Sequence, residues 1–114
     1  MVVGVCKVTL LIGESHSLKE KRMVLRRIKD RVRQKFNAAI AEVGDQDLWQ
    51  SAEIGFAVVS NDRAFSQTMV QKILAFIEEL SVAKISDDQQ DYVDYGEQME
   101  TAGRYDHWEP DDAT

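Results

Sequence analysis

Hydrophobic and polar residues alternate along two long stretches of the chain, Val2–Ile12 and Ser51–Ser60. A period of two with many β-branched residues is typical of strands that bury one face. The pattern of Asn37–Val43 is weaker because of its alanines, and we expect a short strand there. A fourth strand is expected to begin near Val82. Its end is not evident, since the chain turns acidic and polar from Asp87.

Two intervening segments repeat their apolar residues at helical spacing and predict helices. The first helix begins at Ser17, which forms a capping box with Glu20. Asn61 and Asp62 are suitable N-cap residues for the second helix. One apolar stripe on each helix is expected to face the core: Leu18, Leu25, Ile28, Val32 and Phe36 in the first, and Phe65, Met69, Ile73, Phe76, Ile77 and Leu80 in the second.

The resulting order, β-α-β-β-α-β, predicts a ferredoxin-like α+β sandwich, in which two helices cover one face of a four-stranded antiparallel sheet. Right-handed crossovers place the first and third strands in the centre of the sheet. No helix remains to cover the other face. Its expected residues are too apolar to be wholly solvated, so we expect the C-terminal tail or a second copy of the protein to cover it. These residues are Val3, Val5, Leu11, Ala57 and Val59.

The length of 114 residues suits one domain with a real hydrophobic core. The single proline is Pro110, and no linker-like segment divides the chain, so we expect one domain (residues 1–95) followed by an acidic tail (residues 96–114). The lone Cys6 excludes an intramolecular disulfide and fits a reducing cytoplasm, where we expect the protein to act. The apolar N-terminus lacks the features of a signal peptide and is too short to span a membrane, so no membrane association is expected.

Charge is segregated along the chain. The segment Ser17–Phe36 holds nine of the fourteen Lys and Arg residues and only two acids, although the whole protein carries a net charge of −6. From Ser86 to Thr114 there are ten acids and one base. Two interpretations of the acidic segment stay open: it covers the basic helix, in the same chain or in a dimer partner, or it is a disordered solubilising tail. Four aromatic residues favour at least partial docking: Tyr92, Tyr95, Tyr105 and Trp108.

The basic helix supplies the candidate functional residues. At 100° per residue, five of its cations share one arc of about 80°. Like charges four residues apart destabilise a helix by about 0.2–0.5 kcal/mol per pair, and cations in the first turn oppose the helix dipole. These charge arrangements destabilise the helix, and no interaction within the helix compensates for them. Such an uncompensated arrangement is typical of a functional site. The predicted anion-binding set is Lys19, Arg22, Arg26, Lys29 and Arg33 on the arc, together with Lys21 in the first turn.

The hypothesis for this set is contact with the phosphate backbone of structured RNA, which positions the RNA without reading its bases. The alternative is a solvated helix face, or one neutralised by the carboxylates of the chain itself. An isoelectric point near 4.8 is unusual for a nucleic-acid-binding protein. The open sheet face also lacks a pair of stacking aromatics, since Lys7, Thr9, Glu53 and Gly55 occupy the central positions.

The other residues with reactive or metal-binding side chains are better explained by structural roles. His16 precedes the helix cap and His107 lies in the tail, and neither has ligands at metal-binding spacing, so no metal or cofactor is expected. Cys6 is expected in the core, where burial makes a thiol inert. Ser60–Arg63 fits helix capping better than an anion site at the helix N-terminus. No phosphate-binding, dinucleotide-binding or nucleophile-elbow motif occurs, so we expect no catalysis.

Three ordered segments have a distinctive sequence and spacing: Ser15–Arg22 after the N-terminal strand, Glu42–Gln50, and Phe56–Asp62. Together they resemble the YlxP-like family, small bacterial proteins classed as domain of unknown function 503. The resemblance covers about residues 1–85 and implies a ferredoxin-like fold and a bacterial cytoplasmic location. Genes of this family commonly lie beside those for translation initiation and ribosome-binding factors, which is a hint toward ribosomes or RNA. The resemblance brings no catalytic residues.

The leading functional hypothesis is therefore a non-enzymatic binding module that contacts RNA or a ribosomal protein through its first helix. The alternative is a protein–protein module without nucleic-acid binding, most simply a homodimer joined through the open sheet face or the tail. A small-molecule enzyme built on this fold is the least favoured hypothesis, because no convergent titratable groups are evident.

Overall fold

The computed structural model describes residues 1–13 and 16–96 of the chain. Its four strands form one antiparallel sheet in the order β2-β3-β1-β4, which confirms the ferredoxin-like α+β fold and the central position of the first and third strands. Within the described ranges, no helix has the length and apolar character needed to cross a membrane. The elements are β1 (Val2–Leu11), α1 (Leu18–Lys35), β2 (Ala39–Gly44), β3 (Ser51–Ser60), α2 (Arg63–Glu79) and β4 (Lys84–Asp94).

The central strand β1 is paired along its whole length on both sides. Cys6, for example, lies opposite Phe56 of β3 and Gln90 of β4. The acidic stretch that begins at Asp87 belongs to β4 as far as Asp94, so the sheet extends well beyond the point where the apolar pattern is lost. An edge strand with one free side tolerates such polar side chains, because its pairing depends on backbone hydrogen bonds.

Both helices cover the same face of the sheet, and the core lies between these two layers. On α1 the apolar residues buried are Leu25, Ile28 and Val32, as predicted, whereas Leu18 is exposed. Phe36 follows the helix and is partly buried. The core stripe of α1 therefore begins one turn later than its apolar pattern indicates.

Helix α2 is rotated relative to the predicted stripe. Its buried residues are Ser66, Val70, Ile73, Leu74 and Ile77, so Phe65 is exposed and the prediction for that residue is wrong. Met69, Phe76 and Leu80, also predicted for the stripe, are partly buried at its border. The phenyl rings of Phe36 and Phe76 meet edge to face at 5.5 Å between the helices. Phe76 therefore packs toward α1 at the border of the core, and the smaller Ser66 and Val70 are buried against the sheet.

Both helix caps form as the sequence indicates. Ser17 Oγ accepts a hydrogen bond from the Glu20 amide at 3.1 Å, and Glu20 Oε2 accepts one from the amide of His16 at 2.7 Å. At the start of α2, Asp62 Oδ2 accepts a hydrogen bond from the Phe65 amide at 3.3 Å. A carboxylate therefore already occupies the N-terminus of α2, which supports capping over an anion site there.

Candidate functional site

Five cations lie along one side of α1, and we call them the basic arc: Lys19, Arg22, Arg26, Lys29 and Arg33. Lys29 is partly buried and the other four are exposed. Arg33 Nη2 donates a hydrogen bond to the carbonyl oxygen of Ile40 in β2 at 2.9 Å. Because β2 is an edge strand, this contact places the basic arc along one edge of the domain.

Few acids of the described chain neutralise the basic arc. Within the described ranges, the one carboxylate within 4.0 Å of an arc cation is that of Asp30, whose Oδ1 lies 3.9 Å from Arg33 Nη1. Both side chains are about half exposed, so the pair contributes little. The acids of β4 lie at the opposite edge of the sheet, about 14 Å away across three strand spacings. The described acids of the predicted covering segment, Ser86–Thr114, therefore lie in β4 and do not cover the basic helix. Residues 97–114 of this segment lie outside the described residues.

Three further cations of α1 were not included in the predicted set. Arg27 and Arg31 are exposed, and Lys35 Nζ lies 4.6 Å from the centre of the Phe76 ring. This contact with α2 places Lys35 on the flank opposite the basic arc, and helical spacing places Arg27 and Arg31 toward the same side. Helical periodicity separates the two flanks, and Lys35 already has an aromatic partner that shields its charge.

The structure corrects the prediction for Lys21. This lysine is 1% exposed, so its assignment to an anion-binding surface is wrong. Its Nζ lies 3.2 Å from Glu42 Oε2 and donates hydrogen bonds to the carbonyl oxygens of Asp45 and Leu48. The signal for burial was present in the sequence, because Lys21 precedes Leu25 by four residues and therefore lies on the apolar face of α1.

Lys21 acts as a buried clamp between α1 and the β2–β3 loop, residues 45–50. Its ammonium group donates two hydrogen bonds, to the carbonyl oxygens of Asp45 and Leu48, and forms an ion pair with the Glu42 carboxylate. The loop is thus held by its backbone carbonyls. The side chains of Leu48 and Trp49 in this loop are 53% and 49% exposed, so they contribute little to holding it.

The remaining candidate residues do not form a reactive site. Cys6 is buried in the core, as predicted. His16 is exposed at the start of α1, and His107 lies outside the described residues. In the part of the chain that the structure describes, no three His, Cys, Asp or Glu residues converge in a way that would hold a metal ion.

Alkaline pH should destabilise the fold through Cys6. Burial, and secondarily the negative charge of Asp88, raises the pKa of the Cys6 thiol to about 12, against about 8.5 for an exposed thiol. The unfolded chain therefore releases this proton first, and stability is lost as the pH rises from about 8.5 toward 12, by up to about 1.4 kcal/mol per pH unit. Urea unfolding at several pH values measures this slope. Cys6→Ala should lose this contribution, and identical slopes in both proteins would contradict the assignment.

The sheet face opposite the helices is open in the single chain. Val5, Leu11, Val43 and Val59 are 40–63% exposed on it. A shallow concavity of 740 Å³ lies at its centre, over Gly55 and the alanines of β2 and β3. Val3 and Ala57, also predicted for this face, are partly buried. The single chain therefore has the exposed apolar sheet face that the sequence predicts.

Comparison with known proteins matches these features to a family. A family model described as "Protein of unknown function (DUF503)" covers residues 3–90. The chain belongs to the DUF503 family. The "Uncharacterized protein YlxP" of Bacillus subtilis (strain 168) is 44% identical to this DUF503 protein over 77 residues, which are 68% of this chain and 84% of that protein. The family resemblance inferred from the three sequence segments is thereby confirmed.

The crystal structure described as "Putative Chlorite dismutase TA0507" superimposes on this chain with a TM-score of 0.45 and 11% sequence identity. The comparison covers 99% of this chain, which spans about half (51%) of the length of that protein.

Proposed function

We propose that this DUF503 protein is a non-enzymatic binding module whose basic arc contacts the phosphates of RNA in the translation machinery. The main support for the proposal is the arrangement of charge on α1. Five outward cations lie along α1, and in the described part of the chain only the carboxylate of Asp30 comes within 4.0 Å of any of them. From Lys19 to Arg33 the arc spans about 21 Å at 1.5 Å per residue.

The arrangement suits a polyanion because the cations are held on a rigid element. Neighbouring cations on the arc, such as Arg22 and Arg26, have Cβ atoms about 5–6 Å apart, and their like charges repel one another in the free protein. A chain of phosphates relieves this repulsion and releases its own condensed counterions when it binds. RNA is preferred among polyanions because the family resemblance implies a translation setting.

The contact is expected to be insensitive to base sequence. The arc offers charges to phosphates, and phosphate contacts position a nucleic acid without identifying its bases. Lys7 and Thr9 of β1 and Glu53 and Gly55 of β3 occupy the sheet positions where related folds stack bases on aromatic rings. The module therefore recognises the shape and charge of its partner.

Binding rather than catalysis is supported by the surroundings of the arc. The buried ammonium of Lys21 is engaged with Glu42 and two carbonyl groups, and the Cys6 thiol stays protonated in the core. Neither group is exposed beside the arc as a base or nucleophile. The arc itself offers cations, whose chemistry suits electrostatic contact.

A salt series tests the proposal. The full chain is titrated with purified bacterial ribosomal particles and, separately, with a single-stranded RNA at increasing NaCl concentration. For the single strand, the logarithm of the binding constant should fall with the logarithm of salt with a slope of about −0.7 per phosphate contacted, or about −3 for four to five contacts. Absent binding at low salt, or binding that does not vary with salt, would refute the proposal.

A further inference from the structure

The open face, as we call the sheet surface turned away from the helices, has an ordered arrangement of side chains. Antiparallel pairing sets its residues in rows across the strands. The row at one end is made of valines, and along β3 the side chains become smaller toward the centre, from Val59 through Ala57 to Gly55. Successive rows contain Val3, Val59 and Val93; Val5, Ala57, Ala39 and Asp91; Lys7, Gly55, Ala41 and Gln89; and Thr9, Glu53 and Asp87.

We propose that a second copy of this protein covers the open face, giving a two-fold symmetric dimer that is joined sheet to sheet. The proposal concerns a different surface from the basic arc and does not depend on RNA binding. In such a dimer both α1 helices remain on the outside, because they lie on the opposite side of each sheet.

The size of the open face is sufficient for such an interface. Four strands about 4.8 Å apart and eight residue steps of about 3.3 Å give a projected area of about 500 Å² per copy. Two copies would therefore bury about 1,000 Å² in total, which is the lower bound for a specific interface. A pleated surface exceeds its projected area, and exposed side chains such as Val5 and Val59 add to the apolar part.

The shape of the open face is complementary to itself. The centre of the sheet lies between β3 and β1, so a two-fold axis parallel to the strands sets β1 of one copy over β3 of the other, with the rows in register. Val5 then lies over Ala57, and Lys7 lies over Gly55. In these two rows a large side chain of each copy meets a small one of the other, and the 740 Å³ concavity beside Gly55 receives the stem of Lys7.

The open face also carries opposite charges at positions that lie close together when two copies pack face to face. Within the described ranges, neither Lys7 nor Glu53 has an oppositely charged partner within 4.0 Å. In the dimer Lys7 of one copy lies over Gly55, and Glu53 follows on the same strand face about 6.6 Å away, within reach of the lysine stem. Symmetry forms this pair twice.

A second copy fits the open face better than the acidic residues 97–114 do. The face carries Glu53, Asp87 and Asp91 against Lys7 and Lys84, so it already has an excess of acids. An additional acidic segment would meet like charge on this surface. A second copy instead brings Lys7 of each copy close to Glu53 of the other.

Charge reversal at the proposed pair tests the dimer. Sedimentation equilibrium of the full chain should show a dimer that persists in about 0.5 M NaCl, since burial of the apolar rows does not depend on charge. Lys7→Glu and Glu53→Lys should each raise the dissociation constant at least about tenfold, because each creates two like-charge contacts. An equimolar mixture of the two variants should regain the affinity of the unmodified protein, since one pair is then the original Lys7–Glu53 pair and the other is an opposite-charge pair with its signs exchanged.

Lys72→Glu is the matched control, because it makes the same charge change on the exposed surface of α2. It should leave the dissociation constant unchanged, and circular dichroism should show that all variants remain folded. A chain that stays monomeric at all concentrations, or a mixture of variants that does not reassociate, overturns the proposal. Association that grows beyond the dimer and disappears in salt also overturns it, since that behaviour indicates contact between the basic arc and β4 of a neighbour.

Discussion

Replacing Lys21 by methionine is expected to lower the free energy of unfolding by about 3–5 kcal/mol, the typical effect of removing one partner of a buried ion pair. The substitution keeps the apolar stem but leaves the Glu42 carboxylate without its cation. Glu42 Oε2 has no hydrogen-bond partner, so the ion pair with Lys21 is its compensation for burial. The carbonyl oxygens of Asp45 and Leu48 also lose their donor. Urea denaturation followed by circular dichroism measures the loss.

Two further variants separate the clamp from general effects of charge. Lys19→Met removes an exposed charge from the same helix turn and should change the free energy of unfolding by no more than about 0.5 kcal/mol. Adding Glu42→Gln to Lys21→Met removes the unpaired charge and should recover about 1–2 kcal/mol through the coupling between the two sites. If Lys21→Met costs no more than Lys19→Met, the clamp does not stabilise the fold.

Neutralising the basic arc is expected to weaken RNA binding strongly and to change the stability of the fold only slightly. Changing Arg22, Arg26, Lys29 and Arg33 together to glutamine should weaken binding to single-stranded RNA by about a hundredfold or more at low salt and reduce the salt slope by about 3. Folding should respond differently. Two like-charge pairs, each unfavourable by about 0.2–0.5 kcal/mol, are relieved, while Arg33 loses its hydrogen bond to Ile40. The net change in stability should stay within about 1 kcal/mol.

The matched control removes four charges outside the arc. Arg27 and Arg31 lie on the other flank of α1, and Lys72 and Lys84 lie on α2 and β4. Changing these four residues to glutamine alters the net charge equally and should leave most of the RNA affinity and the slope intact. Equal losses in the two variants would show that overall charge, rather than the arc, attracts RNA. A folded arc variant that binds as tightly as the unmodified protein would eliminate the role of α1.

Five of the six predicted anion-binding residues are accessible at the surface, since a helical wheel suffices to separate exposed from buried positions on a regular helix. The sixth, Lys21, lies on the buried side of the same wheel. Its cationic character suggested a surface residue because isolated charges are rarely buried. What allows its burial is a set of acceptors 21 to 27 positions along the chain, in β2 and the loop after it. No local pattern brings such groups together.

The order of the elements, their caps and the class of the fold could be predicted from the chain alone, because they follow from local periodicity and short-range hydrogen bonds, such as that from the Glu20 amide to Ser17. The rotation of α2, the distant acceptors that allow Lys21 to be buried and the inclusion of Asp87–Asp94 in the sheet became evident from the folded structure. It also set the basic arc beside β2 and the acids of β4 at the far edge. These features depend on packing and pairing between segments distant in the chain, where each side chain meets partners that its neighbours in sequence do not specify.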